Sequence, residues 1–560
     1  MNKHLNIEWN IIIGQPSANN REMDNILRNT DKSIVLKTAK EYMQDTKEIH
    51  NIFSHNVMTI IFHGEWYSDL KYDKIHNLEI IIKLLVKTLK LIHFTNVLWI
   101  IDTEKEQLEY LHQISQLCWN HGFVRVLFLH NERIYTYNPL PYLKVMKLSS
   151  MQEFYDKKDM VNYHQHPFTF PITSSPPRCY RYRDSHGNLI YAGYFFKILI
   201  NFIQQYNFKF IEYPNDYNSD NINGLLRDLA FSKMDAVPFM GYPNPNFTAS
   251  DVLGNVNVVI MVPNAKPIPK YQYFKTPFKK EIWFLCILLV LLCSIVPVSI
   301  LYVKGIKVDF SKSFLYVLSL SIYQHHIKIF KKSNLISDSV YICLFLYGFI
   351  MVQMYLCKLS SILVLTIYEP QIKTLKDINA TDLQLLMYRN DLMHFISVSA
   401  MPPVIFKRII LTNAIDVDDK RRSLNASFLH MDFEDKIKFF MLQQKFLKVP
   451  LVRKINPVLI TEQNFFTMRH NLPFIQLFNR YLKYMTDSGL LQKIFNDIEW
   501  EGILSGQISY FKDTENNNDH LLTLEYMYAP LVLYFSGVVL SVIAFLSEIV
   551  YYKFKLRVSK

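Results

Sequence analysis

Few residues of this chain have the type and spacing to do covalent chemistry. Histidines are scattered, His164 and His166 among them, and read as surface or core residues. The adjacent pair His325-His326 lacks the i, i+4 spacing that sets two imidazoles on one helix face around a metal. Neither a nucleophile elbow, a metal-ligand spacing nor a glycine-rich phosphate loop occurs. An enzyme is therefore not expected, and no cofactor or metal is called for. Cys286, Cys293, Cys343 and Cys357 fall within apolar stretches and read as small packing residues. Cys118 and Cys179 remain as candidate disulfide partners, although their separation in space is not legible. What remains is the chemistry of charge next to hydrocarbon: Lys358 at the edge of a long apolar run, and Gln324-His325 at the end of a short one.

Those runs are the elements that must position such residues. Residues 282–303, 339–357 and 527–547 are uncharged, and each is long enough to cross a hydrocarbon core of roughly 30 Å as a helix. The run 313–324 is too short to span and reads as a re-entrant element, with an amphipathic cytoplasmic loop as the alternative. The net charge of +12 is informative by location rather than by sum, and nucleic acid is not expected as a partner. Lys304, Lys307, Lys312, Lys328, Lys331 and Lys332 lie between the first two spans, and Lys553, Lys555, Arg557 and Lys560 follow the last. Basic flanks belong on the cytoplasmic side. Residues 1–280 and 370–525 are then expected outside and the C-terminal tail inside, in a multi-pass protein of the plasma membrane. The sequons at Asn246, Asn379 and Asn425 all fall in segments placed outside, where glycosylation would occur. Export of so long an N-terminal region calls for a leader. Met1 to Asn20 lacks an apolar core for one, so a truncated or misannotated start is expected, with an atypical export signal as the alternative.

The segments placed outside alternate between strand and helix periods. Strand-type runs at 57–62, 96–101 and 123–129 enclose helical patterns at 78–92 and 105–119, which predicts a small parallel α/β layer within residues 1–150. A second alternating segment begins near His166. Helices are predicted over 192–206 and 222–231, and strands over 208–213, from Asp235 and over 255–263. The block 370–525 alternates again and closes with a helix-length region at 472–491 and an amphipathic stretch through Trp500. A parallel sheet needs both faces covered, and neither outer block looks complete alone. The two are expected to pair.

The arrangement resembles the ionotropic glutamate receptor superfamily, and within it the divergent insect ionotropic receptors of smell and taste. Several motifs carry the resemblance over about residues 165–560: Ala192-Gly193 through Phe208, Asn223-Gly-Leu-Leu-Arg-Asp-Leu229 followed by Asp235-Ala-Val237, Tyr355-Leu-Cys-Lys-Leu-Ser-Ser-Ile-Leu363, Asp487-Ser-Gly-Leu-Leu491 and Phe545-Leu-Ser-Glu-Ile-Val550. The third is similar to the family's gate motif, Tyr-Thr-Ala-Asn-Leu-Ala-Ala-Phe-Leu, and the fourth, with Pro473–Leu491 around it, resembles the family's closing helix and its Glu-Ser-Gly-Leu-Leu turn.

The resemblance implies α/β extracellular domains, a short N-terminal α/β region plus a bilobed clamshell like a periplasmic binding protein, on an α-helical pore. That pore would have three spanning helices and one re-entrant loop. It divides the chain into an N-terminal domain (1–150), a first ligand-binding half (165–280), a first membrane helix (281–304), a pore loop (309–327), a gate helix (339–367), a second ligand-binding half (370–525), a last membrane helix (527–552) and a cytoplasmic tail (553–560). By the resemblance, Gln324 and His325 occupy the selectivity turn, and Tyr355, Lys358, Leu359, Ser360 and Ser361 form the gate. Pro238, Asn246 and Asp432 are then candidates for contact with a small-molecule ligand. The family's carboxylate-clamping arginine is absent between Pro238 and Pro263, so glutamate is not the expected agonist.

A lysine inside a membrane costs about 2.5–3.5 kcal/mol on insertion scales and usually faces a cavity. Four inward lysines in a homotetramer would repel cations, so Lys358 points to a tuning subunit in a hetero-oligomer, a tetramer with co-receptor subunits. The alternative is a Lys358 that snorkels to the membrane surface. The expected function is a chemosensory ligand-gated cation channel subunit in the dendrite of a sensory neuron. A non-conducting membrane-tethered binding or modulatory subunit is the rival, and a transporter is disfavoured by the lack of inverted repeats.

Overall fold

A computed structural model of the chain describes residues 6–14, 33–37, 56–63, 74–89, 92–101, 108–155, 162–214, 222–240, 246–303, 310–324, 335–365, 367–456, 458–513 and 524–558. The chain is a mixed α/β protein that divides into two compact units, Met1–Pro263 with Thr374–Phe511, and Asn264–Lys373 with Lys512–Lys560.

In the first unit, strands β1 (Trp9–Ile13), β2 (Ser33–Lys37), β3 (Val57–His63), β4 (Asn96–Ile101), β5 (Val126–His130), β6 (Arg133–Asn138) and β7 (Lys144–Leu148) form one sheet in the order β2-β1-β3-β4-β5-β6-β7. Its first five strands are parallel, and β6 and β7 close it as antiparallel turns of the chain. The near-continuous apolar sequences of β3 and β4 follow from burial on both faces. Val57, Ile61, Val97, Trp99 and Ile101 point into one core, and the alternate residues Met58, Ile60, Phe62, Leu98 and Ile100 into another. Helices α1 (Lys74–Thr88) and α2 (Leu108–Asn120) cover the first of these faces through Leu78, Ile81, Leu85, Leu111 and Ile114.

The chain then makes β8 (His166–Phe170), β9 (Tyr180–Arg183), β10 (Leu189–Ala192), α3 (Tyr194–Gln205), β11 (Phe208–Glu212), α4 (Ile222–Ala230), β12 (Ala236–Met240), β13 (Thr248–Ala249) and β14 (Gly254–Pro263). Next come α5 (Lys280–Val303), α6 (Phe310–Ser321) and α7 (Leu335–Val364), which belong to the second unit. On returning to the first unit it forms β15 (Gln384–Tyr388), α8 (Arg389–Ser397), β16 (Ile409–Thr412), α9 (Ala414–Arg422), β17 (Phe428–Phe433), α10 (Glu434–Met441), β18 (Val452–Lys454), β19 (Ile460–Asn464), β20 (Phe466–Met468), α11 (Ile475–Asp487) and α12 (Leu490–Leu504).

These two stretches are interleaved. Strand β14 lies inside a six-stranded sheet made otherwise from the later stretch, with neighbours β17, β18 and β19. In return β20 pairs with β12 and β13, and α11 enters the core of the earlier stretch. That first core is rich in aromatic rings: Phe168, Phe170, Phe195, Phe202 and Phe208 meet Phe466, Phe474, Phe478 and Tyr481. A second core, under the six-stranded sheet, holds Val259, Met261, Ile437, Phe439 and Val452. The chain crosses between the cores side by side at 249–254 and 464–466, tied by Leu253 N–H to Asn464 O (2.7 Å) and Ser250 N–H to Phe466 O (3.0 Å). Helix α12 bridges them too, with Leu491 and Ile494 in the first core and Ile503 against the second.

The elements that the sequence pattern names between 57 and 129 and between 192 and 263 fall within a few residues of those observed, whereas β1, β2, β6, β7, β9 and β10 and the individual elements of 384–468 are not named by it. The region 472–491 is not a single helix: it breaks at Ser488-Gly489, where Gly489 takes the left-handed conformation (φ 75°) that a side chain disfavours.

In the second unit, α5, α6 and α7 pack together, and α13 (Leu524–Val558) follows at the C-terminal end. Residues Ile342–Val364 of α7 and Glu525–Tyr551 of α13 are long and apolar enough to cross a membrane, which fits membrane association. Helix α5 runs unbroken over 24 residues, and α6, with 12, is the expected short element. Gly348 of α7 permits close approach of α6, because a Cβ there would lie 2.4 Å from Leu320 O.

Candidate functional site

The polar chemistry of the first unit concentrates where its two interleaved cores meet. Arg178 sits in the turn before β9, which Arg178 N–H to Ser175 O (2.8 Å) and Ser175 N–H to Cys179 O (2.9 Å) hold. The start of α3 docks onto this turn through Phe195 N–H to Arg178 O (2.9 Å) and Tyr194 N–H to Pro177 O (3.1 Å). Gly193 makes that docking possible: its φ is 103°, and a Cβ there would lie 2.4 Å from Arg178 O.

From this base Arg178 reaches Asp435, in the first turn of α10. Nε donates to Oδ2 (2.8 Å) and Nη2 to Oδ1 (2.9 Å), a planar two-pronged pair. Tyr194 Oη donates to the same Asp435 Oδ2 (2.9 Å), and the guanidinium stacks 4.6 Å over the Phe433 ring. Only 4 % of the Arg178 side chain is exposed. Burial alone would raise the Asp435 pKa, but the charge and hydrogen bonds of Arg178 hold it below the usual carboxylate value. Burial would likewise lower the Arg178 pKa, and Asp435 more than offsets this, so both groups are charged at neutral pH. Beside the pair, Lys197 of α3 binds Glu501 of α12, and Glu501 also accepts from Gly193 N–H (3.4 Å).

A second charged cluster adjoins the first. Asp432, at the end of β17, is held by Arg421 of α9 in a contact buried on both sides, and Lys436 stands 3.8 Å from it. Burial acts to raise the Asp432 pKa, and Arg421 and Lys436 bring it below the ordinary value. Asp391, in the first turn of α8, differs: burial and then the neighbouring Asp432 push its pKa up. His430, two residues before Asp432, is held neutral by burial and by Arg421, with a pKa lowered to about 4. A cavity of about 140 Å³ opens between Ser174, Ser175 and Pro176 on one side and Asp418, Arg421, Arg422 and Lys436 on the other. It is polar and large enough for several waters or a small solute.

Among the residues singled out in the sequence, Asp432 lies in this region and is engaged by Arg421. Pro238 is buried in β12 and Asn246 is exposed just before β13, both on the strand group of the first core. Asn379 is exposed, and Asn425 is half-buried with its side chain accepting from Ser427 N–H (2.9 Å). Cys118 and Cys179 are free thiols buried in different cores, so they are not partnered. Arg178, Tyr194, Asp435 and Arg421 were not singled out. Arg178 and Asp435 are 257 residues apart, and nothing local marks either as the partner of the other.

In the second unit, Tyr355, Lys358, Leu359, Ser360 and Ser361 all lie on α7. Tyr355 Oη donates to Phe274 O (3.0 Å), and its ring meets Phe278 (5.7 Å) and Trp283 (6.0 Å). Lys358 is exposed, with its ammonium 5.8 Å from the Phe278 ring centroid. Ser360 and Ser361 are exposed and Leu359 is buried. Gln324 is exposed just past α6, its N–H bonded to Ser319 O (2.7 Å), while His325 lies outside the described residues. An apolar cavity of about 560 Å³ is lined by Phe278, Trp283, Phe314, Tyr347, Met351 and Tyr355.

Neither a protein-family model nor a curated protein sequence matches this chain.

Proposed function

We propose that this chain is a chemosensory ligand-gated cation channel subunit, a member of the divergent ionotropic receptor type. The observation that carries the reading is the interleaving of 165–263 with 374–511 around a sequence insertion of apolar helices. A protein needs such an arrangement when a two-lobed binding domain must pull on helices through both of its connections. In this reading the two cores are the lobes of a clamshell, with the charged junction at Arg178, Tyr194, Asp435 and Asp432 as its cleft. Ligand closes the lobes only to the extent that it binds the closed form more tightly. The movement reaches α5 through 264–280 and α7 through 369–373, and α7 opens near Tyr355 and Lys358. Gln324 and His325 line the selectivity turn, Pro238 and Asn246 flank the cleft, and the ligand is a small molecule other than glutamate. The subunit works in the plasma membrane of a sensory dendrite, with N-terminal region outside and C-terminus inside, as part of a heterotetramer with co-receptor subunits.

Recording from cells that express the chain with and without a broadly expressed co-receptor tests this. Ligand-evoked cation currents are expected with the co-receptor, and Gln324→Arg should change their rectification or divalent permeability. Currents unaltered by Gln324→Arg would remove Gln324 from the pore. A second reading, a subunit that binds ligand but does not conduct, is favoured by the cationic Lys358 at the gate position. It predicts that Lys358→Ser leaves currents of the co-expressed channel unchanged.

A further inference from the structure

We propose that Arg178 is a built-in latch: its guanidinium, forked onto Asp435, holds the two cores of the first unit closed against each other without a ligand. Arg178 belongs to a turn fixed on the first core by α3, and Asp435 to α10, whose Ile437, Phe439 and Phe440 are buried in the second core. Apart from the bridging helix α12, the main chain joins the cores only by two adjacent crossings at 249–254 and 464–466 among the described residues. A junction held that way can rock, so side chains that reach across it decide where it rests. Of these, the Arg178 pair is the most enclosed, and its geometry is complete. The carboxylate accepts from Nε, Nη2 and the Tyr194 hydroxyl, and the cation is further covered by Phe433.

The two charges also depend on each other. Separating the cores would take both the Asp435 carboxylate and the Phe433 ring away from a guanidinium that is only 4 % exposed, and a buried charge that loses its counter-charge is far less stable than a paired one. A ligand that acts here must therefore compete for Asp435 or for Arg178, or it must act on cores that are already closed. In the channel reading the latch sets the resting position from which a ligand must move the lobes, but its test reads distances and amide exchange and no currents, so the latch and the channel reading can fail separately.

The test measures the distance between genetically encoded spin labels at Leu189 of β10 and Leu411 of β16, exposed residues on strands beside the first core and in the six-stranded sheet over the second, in the full-length detergent-solubilised chain without ligand. The wild type is expected to give one short, narrow distance. Arg178→Ala and the isosteric Asp435→Asn should lengthen and broaden it, and should raise amide exchange in 175–179 and 434–441 about a hundredfold. The exchange of β3 and β4 should stay unchanged, which reports that the fold is intact. The reversed pair Arg178→Asp with Asp435→Arg should restore the short distance at least in part. If Arg178→Ala fails to fold, Asp435→Asn decides alone. A folded Asp435→Asn chain with the wild-type distance and wild-type exchange overturns the latch.

Discussion

A buried carboxylate beside a buried guanidinium is either paired or destabilising, and Asp432 is paired in charge. Arg421, Lys436 and the Phe433 backbone N–H (2.7 Å) all approach it. Asp432→Asn would leave Arg421 with the half-exposed Asp418 and with Asp391, whose own pKa is raised, as its remaining carboxylates. Breaking one side of such a pair costs about 3 kcal/mol or more. Urea unfolding of the first unit should show that loss, whereas an Asp432 that faced open solvent would show a change within the error of the measurement. Histidines give the pH dependence. His93 donates from Nε2 to Leu472 O (3.0 Å) and is held neutral, chiefly by burial, with a pKa lowered to about 4 from 6.5; His430 is lowered to about 4 as well. Both are bases with a depressed folded pKa, so folded and unfolded chains bind protons equally above pH 6.5. The unfolded chain takes up more as pH falls from 6.5 toward 4. Stability is therefore lost over that window, by about 2 kcal/mol for each histidine at pH 5. Thermal unfolding followed from pH 7 to 5 should show a falling midpoint, and the double variant His93→Gln with His430→Gln should flatten it.

Elements were the most legible level of this protein, because local periodicity suffices for them. The alternating apolar residues of β3 and β4 and the helical spacing of α3 follow from which face each side chain must bury. Which strands pair was not legible, since a backbone edge carries no label and only tertiary packing selects its neighbour. The break at Ser488-Gly489 lay inside an apolar helical pattern that continues on both sides of it, and only the family resemblance of Asp487-Ser-Gly-Leu-Leu491 pointed to a turn there. The charged junction was hidden for a further reason: Arg178 and Asp435 are each ordinary surface residues by local pattern, and only the interleaving buries them. One contact between elements is set by a residue with no side chain. Gly122 ends α2 with φ 83°, and a Cβ there would lie 2.0 Å from Asn471 O and 3.1 Å from His93 Cδ2. Backbone cannot step aside as a long side chain can. Gly122→Ala is expected to push the seven-stranded layer off the 469–472 segment at a cost of about 3 kcal/mol. Faster amide exchange confined to 92–95 and 469–473 would register it, and unchanged exchange there would mean the contact is not made.

At the scale of the whole molecule, the sequence order and the spatial order disagree, and the disagreement is itself physical information. Residues 264–373 interrupt the first unit in sequence yet add nothing to its cores, because β14 ends at Pro263 and the later stretch resumes its packing after Thr374. The interruption also begins and ends at one place. Glu369 N–H donates to Lys266 O (3.0 Å), and Ile268 N–H to Ile367 O (2.8 Å). A loop whose ends already touch can be shortened with only a small change in closure entropy, since that entropy varies with the logarithm of length. Replacing residues 268–367 by a short Gly-Ser turn and ending the chain at Phe511 should thus preserve the first unit. The expected product is soluble and melts cooperatively, because the apolar faces of α5, α7 and α13 are gone and both cores of the junction remain. It should still show the acid loss of stability that His93 and His430 impose. Size-exclusion chromatography with calorimetry decides the matter. A product that aggregates, or melts without cooperativity, would mean that the first unit borrows its stability from the apolar helices and that the division of the chain into two units is not a thermodynamic one.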